Sequence, residues 1–383
     1  MLDFLRNHRH IIGQLLLGAI ILISLYWVAG FLPPWLFLLL RLATTSIGII
    51  LIFFILIFFS LQIIQNFRFE RSFIPKKLRL ASFPRLQNYW IVNPLDQPGT
   101  FRKAQLHTHS SLSYDSKTSP ADVIASYCRD NYSFLVITDH DRRSDFTTYS
   151  SEQCLVIPGS EETVPALFWP IPLGKHLILV NPPVKRPWTA SPQARFNETI
   201  AAGGIAIPAH LSWRGGAGTG RWYPEELLQL KNLRLVEIDS PHSKDPLDLT
   251  IWHKLIAHGG PNNPVWGVSV DDSHRGSSHY GWIMVKTSHL DLQEFIHALN
   301  QGAFYATNGP TLAIKVNGTA ITVDSPGAEW IRFLNCKNKV IAANRSESAT
   351  CQSFGDEGFI RVEATASNGK TAWSQPMWLV AQK

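Results

Sequence analysis

The sequence predicts an α/β domain built on a parallel sheet closed into a barrel. Two apolar helices precede it and a small all-β domain follows it. Three observations carry this reading. Between Phe101 and about Leu299 short apolar strands alternate with helical patterns, which implies a parallel sheet. Residues 11–31 carry no charge, and residues 42–64 repeat the apolar pattern with Ile, Leu and Phe. From Gly302 onward Val, Ile and Thr alternate with polar residues, Gly and Asn mark turns, and helical periodicity is absent.

In chain order, each N-terminal apolar stretch is long enough to cross a hydrocarbon core of about 30 Å as a helix. Pro33 and Pro34 lie between them, so residues 1–66 are expected to form a transmembrane hairpin. Arg6 and Arg9 precede the first stretch. Arg68, Arg71, Lys76, Lys77, Arg79 and Arg85 follow the second. The positive-inside rule then places both ends, and the catalytic region, in the cytoplasm. Residues 67–100 read as a basic membrane-proximal linker resting on anionic lipid headgroups. That cluster accounts for much of the net charge of +6. No basic stripe with interleaved aromatics continues beyond it, so nucleic acid is not the expected partner.

Residues 101–301 hold the alternating elements. Ser119-Pro120 and Ser191-Pro192 are N-cap signatures, and Pro224-Glu-Glu226 and Pro246 open further helices. Residues 302–383 read as a β-sandwich-like domain. Cys128 and Cys154 sit in apolar contexts as core thiols. Cys336 and Cys351 flank a polar stretch and would pair only outside the cytoplasm, the alternative location.

The chemistry lies in residues at the ends of apolar runs. His107 and His109 are two apart in a strand-like segment, so both imidazoles project from one face and can reach one metal ion. Asp115 follows. Phe134–Ile137 runs into Thr138, Asp139 and His140, and Leu155–Ser160 into Glu161. His176 opens Leu177–Val180, Gly204–Ala209 ends in His210, and Val265–Val270 runs into Asp271, Asp272 and His274. One such histidine is ordinary, but the repetition points to metal binding. No nucleophile elbow, dinucleotide fingerprint or P-loop is present: the run Gly215–Gly220 lacks the Lys-Ser/Thr ending.

The motifs HTHS (107–110), TDH (138–140), PGSE (158–161), PAH (208–210) and DSH (272–274) occur in the order found in the polymerase and histidinol phosphatase (PHP) superfamily, which this chain resembles over about residues 101–310. FYATNGP (304–310) and WSQPM (373–377) are similar to the β-tailed branch that includes carbaryl-hydrolase-type enzymes. The resemblance implies a distorted (β/α)7 barrel with two or three divalent ions, Zn, Mn or Fe. It implies that His107, His109, Glu161 and Asp272 hold a first ion. Glu161 would bridge to a second ion held by His176 and His210, with Asp115, His140 and His274 forming a third site. Glu161, Asp272 and His210 are the implied catalytic residues, and Asp139 orients a neighbour. Glu162 and Asp271 point away from their ligating neighbours.

The expected function is a membrane-anchored, metal-dependent phosphoesterase acting on a small anionic ester through metal-activated water. Arg142, Arg143, Arg214 and Arg221 are candidate phosphate binders. His242 and His279 stand near the mouth as candidate proton donors. The alternatives are a carbamate or carboxylic ester hydrolase, and a non-catalytic ligand-binding module at the membrane.

Overall fold

The protein is described from a computed structural model covering residues 45–57, 60, 83–164, 174–184, 191–215, 220–243 and 246–382. Ile74–Trp213 and Arg221–Lys383 form one compact unit, described here by itself. Its first half contains β1 (Tyr89–Val92), β2 (Thr100–Gln105), α1 (Pro120–Arg129), β3 (Tyr132–Ile137), β4 (Leu155–Val164) and β5 (Lys175–Val180). Next come α2 (Pro192–Ala201), β6 (Ile205–Pro208), α3 (Pro224–Leu227), β7 (Leu235–Asp239) and α4 (Leu247–Gly259). β8 (Trp266–Ser269), β9 (Trp282–Thr287), α5 (Leu292–Gln301) and β10 (Phe304–Thr307) complete this part. The tail adds β11 (Ala313–Asn317), β12 (Ala320–Asp324), β13 (Ala328–Asn335) and β14 (Val340–Asn344). It closes with β15 (Ser348–Gln352), β16 (Phe359–Ala366), β17 (Thr371–Trp373) and β18 (Met377–Ala381).

The helices begin where their caps dictate. Ser119 Oγ accepts from Asp122 N at 3.2 Å, and Ser191 Oγ accepts from Ala194 N at 3.3 Å, each ahead of a proline at the first helical position. α5 is capped by Asp291 and stops at Gly302, whose φ of 71° is left-handed. A Cβ there would meet the Trp266 ring at 2.7 Å, so both backbone angle and space require glycine.

The sheet corrects the barrel expectation. It is mixed, with 13 strands: β2–β3 and β3–β4 are parallel, whereas β2–β9, β4–β5 and β5–β6 are antiparallel. β7 and β8 form a separate parallel pair, and no ladder joins β6 to β7 among the described residues. The physical reason is that an apolar run signals burial but carries no information on strand direction. The end of β8 still reaches β2: Asp272 N donates to His107 O at 2.9 Å, and His109 N to Ser273 O at 2.8 Å.

The membrane expectation is also corrected. No described helix is long and apolar enough to cross a membrane. The second apolar stretch, 42–64, is helical over residues 45–57 and at 60, and its other residues lie outside those described. The first stretch, 11–31, lies outside the described residues. The two-span hairpin, the integral-membrane assignment and the cytoplasmic orientation drawn from it are therefore not supported.

The cysteine reading changes too. Cys128 and Cys154 form a disulfide with Cα atoms 5.7 Å apart, while Cys336 and Cys351 are free and buried. Cys128 lies near the end of α1, which leads into β3, and Cys154 directly precedes β4. Because β3 and β4 are parallel neighbours, the topology brings those two ends together. Val123, Ile124, Tyr127, Leu135, Ile137 and Val156 surround the bond as an apolar cluster.

From β10 onward every strand pairing is antiparallel, and β1 joins this part by pairing with β18. The tail's core is built on Ile321, Val323, Ile331, Phe333, Ile360 and Val362. His253 of α4 ties the two parts together, its Nε2 donating to Cys336 O at 2.9 Å. Burial, and secondarily Arg361, lower its pKa to about 4. An unfolded histidine titrates near 6.5. The unfolded chain therefore binds the extra proton first, and stability is lost as pH falls from about 6.5 toward 4. Denaturant unfolding at pH 7.5 and 4.5 should show His253→Gln losing about 2–3 kcal/mol less than wild type on acidification. Equal losses would show that His253 is not the group involved.

Candidate metal centre

The site starts from Gln105, the buried last residue of β2. Its Oε1 accepts from the backbone N of Leu106, His107 and Asp271 at 3.0, 3.2 and 3.2 Å, and its Nε2 donates to Gly281 O at 3.0 Å. One side chain thus ties the first histidine segment to the DSH segment. His107 and His109 then point the same way, while Thr108 between them bonds Thr138 and Ser273. Asp139 accepts from Ser110 N at 2.7 Å and from the hydroxyls of Ser110 and Ser144, so it fixes loops rather than facing the cluster.

Four donor atoms converge first. His107 Nε2 and His109 Nε2 are 3.1 Å apart. Each is 3.2–3.3 Å from Glu161 Oε2 and 3.1–3.3 Å from Asp272 Oδ1. Donors spaced this way suit a tetrahedral ion with bonds of about 2.0–2.2 Å. The other oxygen of Glu161 faces a second set: Oε1 is 2.7 Å from His176 Nδ1 and 3.1 Å from His210 Nε2. A third set lies beside them, with Asp115 Oδ2 at 3.1 Å from His140 Nε2 and 3.2 Å from His274 Nε2. His109 stacks on His274 at 4.3 Å. His140 Nδ1 is buried without a hydrogen-bond partner, yet lies 3.2 Å from Glu161 Oε2. An orphaned nitrogen aimed at a carboxylate shared by four other imidazoles fits cation binding. Three groups, His107/His109/Glu161/Asp272, His109/Asp115/His140/His274 and His140/Glu161/His176, could each hold a metal ion.

Strand direction explains a placement the sequence left odd. His176 lies at the start of β5, whereas Glu161 and His210 lie late in or just after β4 and β6. Because β5 runs antiparallel between them, its beginning lies at the same end of the sheet. Thr163 pairs with His176 and Glu161 with Ile178, so Glu161 and His176 are diagonal neighbours on one face. Glu162 points to the other face, where Arg195 Nε meets it at 2.6 Å.

Glu237, in the middle of β7, was missed by the sequence reading. It is fully buried; its Oε1 is 2.8 Å from His107 Nδ1 and its Oε2 accepts from His210 N at 2.6 Å. Ser113 Oγ does the same for His109, 2.9 Å from Nδ1. Each contact occupies Nδ1 and leaves Nε2 to the cluster. His210 and Asp272 have positive φ, 27° and 41°, a conformation sparsely populated by residues with a Cβ. The Glu237 bond to His210 N and the Asp272 bond to His107 O hold these two turns. The only available signal for Glu237 was the pair of acids, Glu237 and Asp239, inside the otherwise apolar run LVEID.

Burial alone would lower both first-set histidines, but the facing carboxylates outweigh it. His107 is raised well above the usual range, and His109 rises to about 9. Burial would raise Glu161, but His176, His107 and His140 hold it well below the usual carboxylate range.

The arginines do not gather at the cluster. Arg143 donates to Pro182 O and pairs with Asp145, Arg142 and Arg214 are exposed, and Arg221 is buried. His242 Nε2 lies 3.3 Å from Asp272 Oδ2, at the edge of the site. His279 instead pairs with Asp130 at 3.0 Å.

No family model matches the chain, and no curated protein matches it. Among solved structures, it is similar to a two-domain protein from Bacteroides vulgatus described as containing a predicted PHP-like metal-dependent phosphoesterase. Identity is 15% and the TM-score 0.42, covering 76% of this chain and 97% of that one. It is also similar to an amidohydrolase from Chromobacterium violaceum, with 16% identity and a TM-score of 0.31, covering 45% of this chain and 87% of that one. The clustered imidazoles and carboxylates define a candidate metal centre. Neither structure speaks for the carbaryl-hydrolase branch.

Proposed function

We propose that the chain is a metal-dependent phosphoesterase in which Glu161 bridges two ions. The observation that carries this reading is the division of one buried carboxylate between two donor sets, Oε2 toward His107 and His109, Oε1 toward His176 and His210. In this reading Asp272 completes the first set, and Asp115, His140 and His274 hold a third ion beside them. Zn, Mn or Fe suits the imidazole and carboxylate donors. When bound, the ions supply hydroxide near neutral pH and offset charge on the attacked centre. Glu161, Asp272 and His210 would act by holding the ions that supply it.

Electrostatics supports an anionic substrate, with a condition. Glu161, Asp272, Asp115 and the nearby Glu237 bring four carboxylates, so two divalent ions leave the centre near neutrality. Three ions leave it cationic, and occupation of the Asp115/His140/His274 set is then what attracts an anion. Arg142, exposed shortly after His140, is the arginine available to add to that field.

The test is a parallel assay of phosphate monoesters, phosphate diesters and neutral aryl esters on metal-loaded protein. Phosphoester hydrolysis should be faster, with inorganic phosphate a competitive inhibitor. Faster turnover of neutral esters would overturn the proposal in favour of carbamate or carboxylic ester hydrolysis. No turnover of any ester would leave a binding module.

A further inference from the structure

One aromatic residue at the site is explained neither by the core nor by ion binding. Tyr114 is 68% exposed, although it lies between residues that are held firmly. On one side, Ser113 Oγ lies 2.9 Å from His109 Nδ1 and accepts from His140 N at 3.0 Å. On the other, Asp115 faces His140 and His274. The Tyr114 ring lies nearly parallel to the His140 imidazole, with centroids 4.8 Å apart and planes 14° apart. One face therefore covers a residue of the cluster and the other faces solvent. Trp213 also touches the cluster, but tilted or edge-on rather than stacked, with its ring 4.8 Å from His176 and 4.7 Å from His210.

A large aromatic left open beside buried charged groups loses the hydrophobic gain of burial. A planar ring arriving with the substrate would recover that surface by stacking. We propose that Tyr114 is a stacking platform for a planar aromatic group on the substrate. The preferred class is then phosphoesters of aromatic or heteroaromatic alcohols over aliphatic ones. This rests on the phosphoesterase reading and adds its specificity. The phosphoryl group sits at the cluster, and the ring attached to it lies against Tyr114.

The test measures binding without turnover. Phenylphosphonate and methylphosphonate, which share the anionic head and differ in the ring, are titrated calorimetrically into metal-loaded full-length protein. The expected result is phenylphosphonate binding about 5–20-fold tighter, the range of one aromatic stacking contact. Tyr114→Phe should keep the preference. Tyr114→Leu, which keeps apolar bulk without a flat face, and Tyr114→Ala should reduce it to about twofold or less with metal content unchanged. Equal binding of both ligands by wild type, or full preference in both the Leu and Ala variants, would overturn the platform while leaving the phosphoesterase reading intact. Binding of neither ligand by metal-loaded wild type would overturn that reading, and this proposal with it.

Discussion

Glu161→Gln should lose metal from two positions at once and lower kcat/KM by about a thousandfold, the scale of several kcal/mol of charge stabilisation. Oε2 serves His107, His109 and His140, and Oε1 serves His176 and His210. A glutamine offers one oxygen and one NH2 group. Whichever way the amide turns, one set loses its donor and both lose the shared negative charge. The same substitution at Glu162 is the control. Its carboxylate meets Arg195 on the opposite face of β4, so Glu162→Gln should leave metal content unchanged even where it costs stability. Undiminished metal content in Glu161→Gln would remove the bridging role.

Glu237→Gln should weaken metal binding about 10–100-fold, with activity recovering as metal is raised. Both carboxylate oxygens accept, one from His107 Nδ1 and one from His210 N. An amide cannot accept at both. If its NH2 group meets His107 Nδ1, the imidazole is driven to the tautomer with its proton on Nε2, the atom facing Glu161, Asp272 and His109. If it meets His210 N instead, two donors oppose each other and the strained turn at His210 loses its restraint. Metal titration of the two proteins reads this directly. An unchanged affinity would reduce Glu237 to a packing residue.

These residues show what the sequence could and could not convey. All nine positions named as ligands fall into the three neighbouring sets, because strand-end placement and i,i+2 spacing are local features that survive into the fold. The direction of β5 was not legible, since Leu177–Val180 reads the same in either direction, and the parallel barrel expectation fails there. Glu237 escaped because the acids of its strand match none of the five motifs, and its partners lie 130 and 27 residues away. Cys128 and Cys154 each looked like core thiols, and only the parallel pairing of β3 with β4 brings them together. Apolar composition over 42–64 suggested a membrane span, but no described helix is long and apolar enough to cross a membrane.

The central claim is that one buried glutamate joins two ion positions beside a third. Metal analysis of purified wild type and Glu161→Gln, after equilibration with Zn, Mn or Fe and removal of loosely bound ions, tests it most directly. Two to three ions per wild-type chain are expected, with at least one lost from the variant. Wild-type protein that retains one ion or none, or a variant that retains as many as wild type, would contradict it.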